Sequence, residues 1–396
     1  MIKNFFPVFL FAISIFFIVS CNDSPTDLGT TFLSQDGVEV RKLDSSIDTI
    51  SQSSYSYKNV LPLGGSTQLL LGKSDNITSN VLLSFVFAIP DSIKQELEAR
   101  NLTVIDSYVE MYKNYSFGDS NAAFDYAVYK VNEKWSSSTF TADSFAFLDY
   151  DNSIDLSSNR TTENDTIYSF HLDTTLTSSW LQNYIDTTVA SNHGILLSPT
   201  TNTQKVLGFT AFNVNAQNDP RLRIVVQKPG AYIDTLRGFV SSDLSVVLGD
   251  LPNVGTENIV IQSSLTAEAK LFFDFSVVPE DVVINLATLT FTVDTLLTKI
   301  GSSHANRLSV YLLDDSSTNK INTDYASTLE RKGSTFTGDV TSILRAWNNK
   351  VENQGVLIKS TLELWGLEIY ALKGSNAPLI EQRPRLEIVY SKGKNH

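Results

Sequence analysis

The feature that most constrains this chain is that it repeats itself. L-L-S-F-V-F-A-I-P (82–90) matches L-F-F-D-F-S-V-V-P (271–279), V-I-D-S-Y-V-E-M-Y (104–112) matches V-I-N-L-A-T-L-T-F (283–291), and Y-A-V-Y-K-V (126–131) matches L-S-V-Y-L-L (308–313). Three more blocks follow in the same order: N-H-G-I-L-L-S (192–198) with N-Q-G-V-L-I-K (353–359), G-F-T-A-F-N-V (208–214) with G-L-E-I-Y-A-L (366–372), and D-P-R-L-R-I-V-V (219–226) with R-P-R-L-E-I-V-Y (383–390). A chain of 396 residues, 42% hydrophobic, has the apolar material for a core in each copy. The copies span 40–228 and 231–392, with a boundary at Lys228-Pro229-Gly230, a pattern that ends a strand and turns the chain.

Most blocks alternate, or run apolar for five to eight residues, and are rich in Val, Ile, Phe, Tyr and Thr, which is strand chemistry. Each copy carries one helical stretch before its N-x-G turn. In the first, Trp180, Leu181, Tyr184, Ile185 and Thr188 share a face behind a capping box of Ser179 and Gln182; in the second, Ile343, Leu344 and Trp347 follow Asp339 and Thr341. The first copy also inserts Asp91–Arg100, where Ile93 and Leu97 at i, i+4 predict a short surface helix. The expected fold is therefore all-β: two tandem antiparallel β-sandwiches, jelly-roll-like in connection, each with a short helix.

The chain opens with Lys3 and an uncharged apolar run from Phe5 to Val19, the pattern of an export signal. Such a run rises about 22 Å as a helix, short of the ~30 Å hydrocarbon core of a bilayer. Ile18, Val19 and Ser20 before Cys21 resemble the lipobox of bacterial lipoproteins, in which the cysteine is diacylated and becomes the new N-terminus, and Cys21 is the only cysteine in the chain. The reading is a signal at 1–20, a lipidated polar tether at 21–39, and a membrane as partner through the N-terminal acyl chains. With 30 Lys and Arg against 43 Asp and Glu, a net charge of −13, the body is set against binding nucleic acid or lying on an anionic lipid surface.

D-V-T-S-I-L-R-A-W (339–347), N-x-G-V-L-I (353–358) and R-P-R-L-E-I-V-Y (383–390) resemble the C-terminal half of DNRLRE-type domains, and Val131-Asn132-Glu133-Lys134-Trp135 resembles that family's V-x-E-x-W element. The resemblance implies β-sandwich domains of exported and cell-wall proteins, with relatives classed as carbohydrate-binding modules for acidic polysaccharides. The first copy departs from the pattern at Asp219, where the second has Arg383, and the second has Asp314-Asp315 in place of Glu133 and Trp135. The N-terminal run C-N-D-S-P-T-D-L-G with L-L-L-G-K (69–73) is similar to lipoproteins of the Bacteroidetes and Chlorobi lineages, which implies an outer-membrane or cell-surface home.

His171, His193, His304 and His396 have no partner at metal-ligand spacing, and H-E-x-x-H, C-x-x-C and G-x-S-x-G do not occur. Gly118-Asp119-Ser120-Asn121 faintly resembles the nucleophile block of GDS-type esterases, but no D-x-x-H follows and the run reads as a turn between strands. Asp149, Asp151 and Asp155 put three carboxylates in seven residues, the oxygen ligands Ca²⁺ takes, on a loop without the glycine of the helix-loop-helix motif; the alternative is a solvated acidic loop.

The strongest functional pattern is aromatic. Alternation through 106–112 sends Val109 and Met111 to one face and Asp106, Tyr108, Glu110 and Tyr112 to the other. Flat rings stack on sugar faces and carboxylates accept hydroxyl hydrogen bonds, so this row, extended by Tyr115, Tyr126 and Trp135, is a candidate glycan platform. The alternative is that tyrosine is simply a favoured strand residue whose hydroxyl reaches water. The second copy offers Ala287 and Leu289, or Thr288 and Thr290, depending on register, and neither pair is aromatic. The expected function is non-catalytic polysaccharide binding by an envelope lipoprotein. A structural or protein-interaction role without sugar affinity comes second, and a hydrolase third.

Overall fold

A computed structural model describes residues 38–48 and 50–393. The expected signal, Cys21 and nearly all of the tether lie outside the described residues. The element order is β1 (Val38–Asp44), β2 (Gln52–Lys58), β3 (Gln68–Ser74), β4 (Ile77–Phe87), α1 (Asp91–Glu98), β5 (Thr103–Phe117), β6 (Tyr126–Val131), α2 (Ala142–Phe145), β7 (Tyr150–Asp151), β8 (Ser157–Glu163), β9 (Ile167–Leu172), α3 (Thr174–Ile185), β10 (Ile195–Pro199), β11 (Val206–Thr210) and β12 (Arg221–Lys228). It continues with β13 (Tyr232–Leu248), β14 (Asn258–Gln262), β15 (Ala267–Phe273), β16 (Val283–Thr292), β17 (Arg307–Asp315), β18 (Lys320–Lys332), β19 (Thr335–Asp339), α4 (Thr341–Asn348), β20 (Val356–Ser360), β21 (Ile369–Lys373) and β22 (Arg385–Gly393). The chain is all-β and sandwich-like, built on two eleven-stranded antiparallel sheets, one formed by β3 to β13 and the other by β1, β2 and β14 to β22.

Three of the four helices form where the apolar spacing places them, although α3 ends at Ile185, short of Thr188, and leaves Tyr184 exposed. α1 buries Ile93 and Leu97, and α4 buries Ile343, Leu344 and Trp347 behind Asp339, whose Oδ1 accepts from the Thr341 N–H at 2.8 Å. α3 starts earlier than its expected capping box. The Asp173 carboxylate accepts from Thr175 N–H and Leu176 N–H at 2.7 and 3.1 Å, which satisfies first-turn donors and adds residues 174–178, while the Ser179 hydroxyl donates to Leu176 O.

The sheets do not divide the chain at Lys228-Pro229-Gly230. That tripeptide is the turn of a hairpin, because β12 pairs with β13 from Arg221↔Phe239 to Lys228↔Tyr232. β13 then crosses to β4, where Leu244 lies opposite Leu82, so one long strand closes the first sheet round its core. In the second sheet the same two places are taken by strands from the start of the chain: β1 pairs with β22 and β2 with β15. Each repeat thus lends its opening strand to the other, and the expected segments 40–228 and 231–392 are interlocked rather than consecutive. Turns and linkers share the same residues, which is why the tripeptide reads either way.

Hydrogen bonds show that the exchanged strands are equivalent. Ser245 Oγ on β13 accepts from the Leu70 N–H at 2.6 Å, and Ser56 Oγ on β2 accepts from the Val260 N–H at 2.7 Å. Asn192 Nδ2 donates to Phe85 O at 2.9 Å, and Asn353 Nδ2 donates to Phe273 O at 2.7 Å. In these N-x-G turns Gly194 and Gly355 have φ of 86° and 85°, and a Cβ would meet Leu83 O or Leu271 O at 2.0 or 2.8 Å. Leu83 therefore answers Leu271, one residue from the match read in the sequence. The G-F-T-A block is also displaced, since Gly208 lies inside β11 while Gly366 precedes β21.

Alternation builds four apolar clusters from the two sheets, one of them on the Leu82, Leu196 and Leu244 face of β4, β10 and β13. Leu69, Leu71, Val109, Met111, Trp180 and Phe209 fill the first, and Ile259, Ile261, Leu289, Phe291, Ile343 and Trp347 fill the second. The opposite faces of the same strands meet at the seam, where Leu70, Tyr115, Phe117 and Val206 pack on Val260, Ala267, Leu367 and Ala371. This explains why β3 and β14 are buried on both faces.

Candidate functional site

β5 lies inside the first sheet, paired with β12 along Thr103–Glu110, with β9 along Tyr108–Tyr112 and with β11 from Lys113 to Phe117. Val109 and Met111 are buried in the core, and Asp106, Tyr108, Glu110 and Tyr112 are half-buried on the outer face, as the alternation requires. Pairing sets Tyr108 opposite both Arg223 on β12 and His171 on β9, and Glu110 opposite Arg221. On β13, Arg237 lies beside Arg223 and Phe239 beside Arg221, so the outer face carries a band of rings and charges four strands wide.

Most charged groups in the band are held by a neighbour. His171 Nδ1 is 2.7 Å from Asp106 Oδ1, Arg223 Nε lies 3.4 Å from Glu110 Oε2, and the Arg221 guanidinium sits 5.9 Å from the centre of the Tyr112 ring. The Tyr108 and His171 rings are 5.9 Å apart and tilted by 36°. Arg221 also donates to Ala216 O at 2.8 Å, which anchors it to the loop before β12. At the rim of the band is a cavity of about 280 Å³, bounded by Phe212, Asp219, Arg221, Arg223, Arg237 and Phe239. Ordered donors and acceptors around half-exposed rings suit the holding of a hydroxylated surface, since little side-chain freedom is left to lose on binding.

The rest of the expected row is elsewhere. Tyr115 and Tyr126 are 2% and 4% exposed, the first at the seam and the second in the core. The Trp135 indole N–H donates to His193 O at 2.9 Å and its ring packs on the Leu82, Leu196 and Leu244 face of β4, β10 and β13, so it is a cover for that apolar surface. In the second sheet Thr288 and Thr290 point outward and Ala287 and Leu289 inward, leaving a corresponding face of threonines.

The three aspartates proposed for calcium do not converge. Asp149 Oδ1 accepts from Asn132, Asp151 Oδ1 from Ser153, and Asp155 Oδ1 from the Val128 and Ser157 N–H groups while its other oxygen pairs with Arg160. Among the described residues no group of three His, Cys, Asp or Glu side chains is placed to hold a metal ion. Short polar turns consume these carboxylates locally. Gly118-Asp119-Ser120-Asn121 is a turn in which Asp119 Oδ1 accepts from the Asn121 N–H at 2.9 Å.

Arg221, Arg223 and His171 belong to the band and escaped the sequence reading. Strand alternation in P-R-L-R-I-V-V already places both arginines on one face; what sequence lacks is that β12 and β9 flank β5. In comparisons with known proteins, no family model matches the chain and no curated protein matches it.

Proposed function

We propose that the chain is a non-catalytic binding protein of the bacterial envelope, tethered through an acylated Cys21, that holds a polysaccharide on the outer face of β5, β9, β12 and β13. One observation carries this reading: Tyr108 and Tyr112 share a half-exposed face with Arg221, Arg223, Glu110, Asp106 and His171. Aromatic rings give sugar rings a flat apolar surface, while the flanking guanidinium and carboxylate groups offer donors and acceptors to hydroxyls and acidic substituents. The resemblance to DNRLRE-type domains is in keeping with such a ligand, and Trp135 is no longer part of the site.

A panel of soluble plant, algal and bacterial polysaccharides in affinity electrophoresis tests this. Retardation of the protein by at least one member, abolished in a Tyr108→Ala/Tyr112→Ala variant, is the expected result. Retardation unchanged by the double substitution for every member that retards the wild type, or absent throughout, overturns it.

A further inference from the structure

A second concavity lies away from the tyrosine face. It is a cleft of about 760 Å³ at the seam, between the β3–β4 turn, the end of β5 and the β10–β11 loop of the first sheet, closed by Lys299 and Ile300 from the second half. That size lies in the range of small-molecule sites, roughly 300–1,000 Å³. The closing segment is pinned in place: the Ser302 N–H donates to Ser116 O at 2.8 Å, the Ser116 N–H donates to Ser302 Oγ at 2.9 Å, and Lys299 Nζ pairs with Asp75 Oδ2 across the seam at 2.7 Å. The cleft exists only when both sheets are assembled.

Its lining selects a chemical class. Ser74, Thr201 and Gln204 bear hydroxyl or amide groups that both donate and accept, which is the complement of sugar hydroxyls. The charges of Lys73 and Lys299 are balanced by Asp75 and Asp119, so the cleft sets no strong field for an ion of either sign. Ile300, 45% exposed, supplies an apolar edge for the C–H face of a ring, backed by the buried Phe117. Gly118, at φ 97°, keeps the wall open, since a Cβ there would sit 3.3 Å from Ser74 Oγ.

We propose that this seam cleft is a second binding site, one that takes a short neutral oligosaccharide and requires both halves of the chain. It is separate from the tyrosine face and stands or falls independently of it. Lys73, Thr201 and Gln204 are exposed, so their side chains can be changed without opening a core.

The test is calorimetric titration of the full chain with cellotetraose, xylotetraose, mannotetraose and laminaritetraose. At least one is expected to bind, with affinity falling tenfold or more in Lys73→Ala/Gln204→Ala and unchanged in Tyr108→Ala/Tyr112→Ala. An Ile300→Trp variant, which fills the cleft from its exposed edge, is expected to block binding equally. No binding by the wild-type chain to any of the four overturns the proposal, as does binding that survives both cleft variants or that disappears with the two tyrosines. Loss of binding with the two tyrosines would assign the oligosaccharide to the tyrosine face instead, and the other results leave retardation by polysaccharide through that face untouched.

Discussion

The Tyr115 hydroxyl joins the two sheets: it donates to Glu368 Oε1 at 2.9 Å and accepts from the Leu367 N–H at 2.9 Å, inside the apolar seam. Tyr115 comes from β5, while Glu368 stands just before β21, so one hydroxyl satisfies a carboxylate and a backbone donor from the other half of the chain. Its ring edge stacks on Trp365 at 5.2 Å and lies against Gly301, where a Cβ would fall 2.3 Å from the ring. Tyr115→Phe keeps the ring and removes the hydroxyl, leaving two buried polar groups without that partner, and is expected to cost about 1–3 kcal/mol. Gly301→Ala should destabilise through overpacking by a similar amount, about 1–3 kcal/mol. Urea unfolding measures both, and an unchanged midpoint for Tyr115→Phe would show that the seam does not depend on this bond.

Burial raises the Glu368 carboxyl to about 7 and the Asp243 carboxyl to about 6. Both groups hold protons in the folded chain that they lose when unfolded, so stability falls as pH rises from their ordinary carboxylate range through these values. Asp44 acts in the opposite sense. The Arg385 guanidinium bonded to it holds its carboxyl well below the usual range, so its contribution is present at neutral pH and is lost in strong acid. The melting temperature is therefore expected to decline between pH 4.5 and 7.5. Glu368→Gln should flatten the upper part of that decline and stabilise the protein at pH 7.5, and a wild-type slope in the variant would remove Glu368 as its source.

Strand exchange predicts what truncation does. A fragment beginning at residue 231 keeps β13 without its partners β4 and β12, and loses β1 and β2, which pair with β22 and β15. It should lack near-ultraviolet circular dichroism. Adding a synthetic peptide of residues 38–58 should restore part of that signal by recovering the two missing strand pairings. A fragment that unfolds cooperatively by itself would mean that the exchanged strands are dispensable.

The strands, the helices and the inward residues of β5 were legible because each rests on local periodicity, as Val109 and Met111 show. The exchange was not, because pairing partners are chosen at long range among segments of the same period. A trace of it exists in Leu61-Pro62 before Gly65-Ser66-Thr67, which answers Leu251-Pro252 before Gly255-Thr256-Glu257 and aligns Leu70 with Val260, the two residues whose N–H groups the equivalent serines accept from. Residues 45–51 interrupt the match between β1–β2 and β13 and hide it. Of the candidate site, alternation revealed the tyrosines, while the arginine neighbours depended on which strand flanks β5, and Trp135 was misplaced because an indole covering an apolar face and one facing solvent look alike in sequence.

Membrane attachment is tested at Cys21. If this thiol carries the acyl chains, wild-type protein from a bacterial host with lipoprotein processing should partition into the detergent phase, and Cys21→Ala should leave that phase or retain its signal segment. Equal partitioning of the processed forms would place attachment elsewhere.

The tyrosine face makes the most exacting prediction because its residues also support one another. Tyr108 packs with His171, and Tyr112 lies under Arg221, so each alanine substitution loosens a neighbour as well as removing a ring. These rings are half-buried on the outer face, outside the core, so the stability cost should stay below the ~3–5 kcal/mol of a core aromatic truncation. If the rings stack on sugar, each should contribute to affinity independently of charge: Tyr108→Phe should bind nearly as the wild type, while Tyr108→Ala should lose about tenfold, or ~1.4 kcal/mol. Arg223→Gln should instead weaken binding to acidic polysaccharides more than to neutral ones, and the difference should shrink as salt is raised. Equal loss for Tyr108→Phe and Tyr108→Ala would mean that the hydroxyl, not the ring face, makes the contact, and the stacking account of this surface would fail.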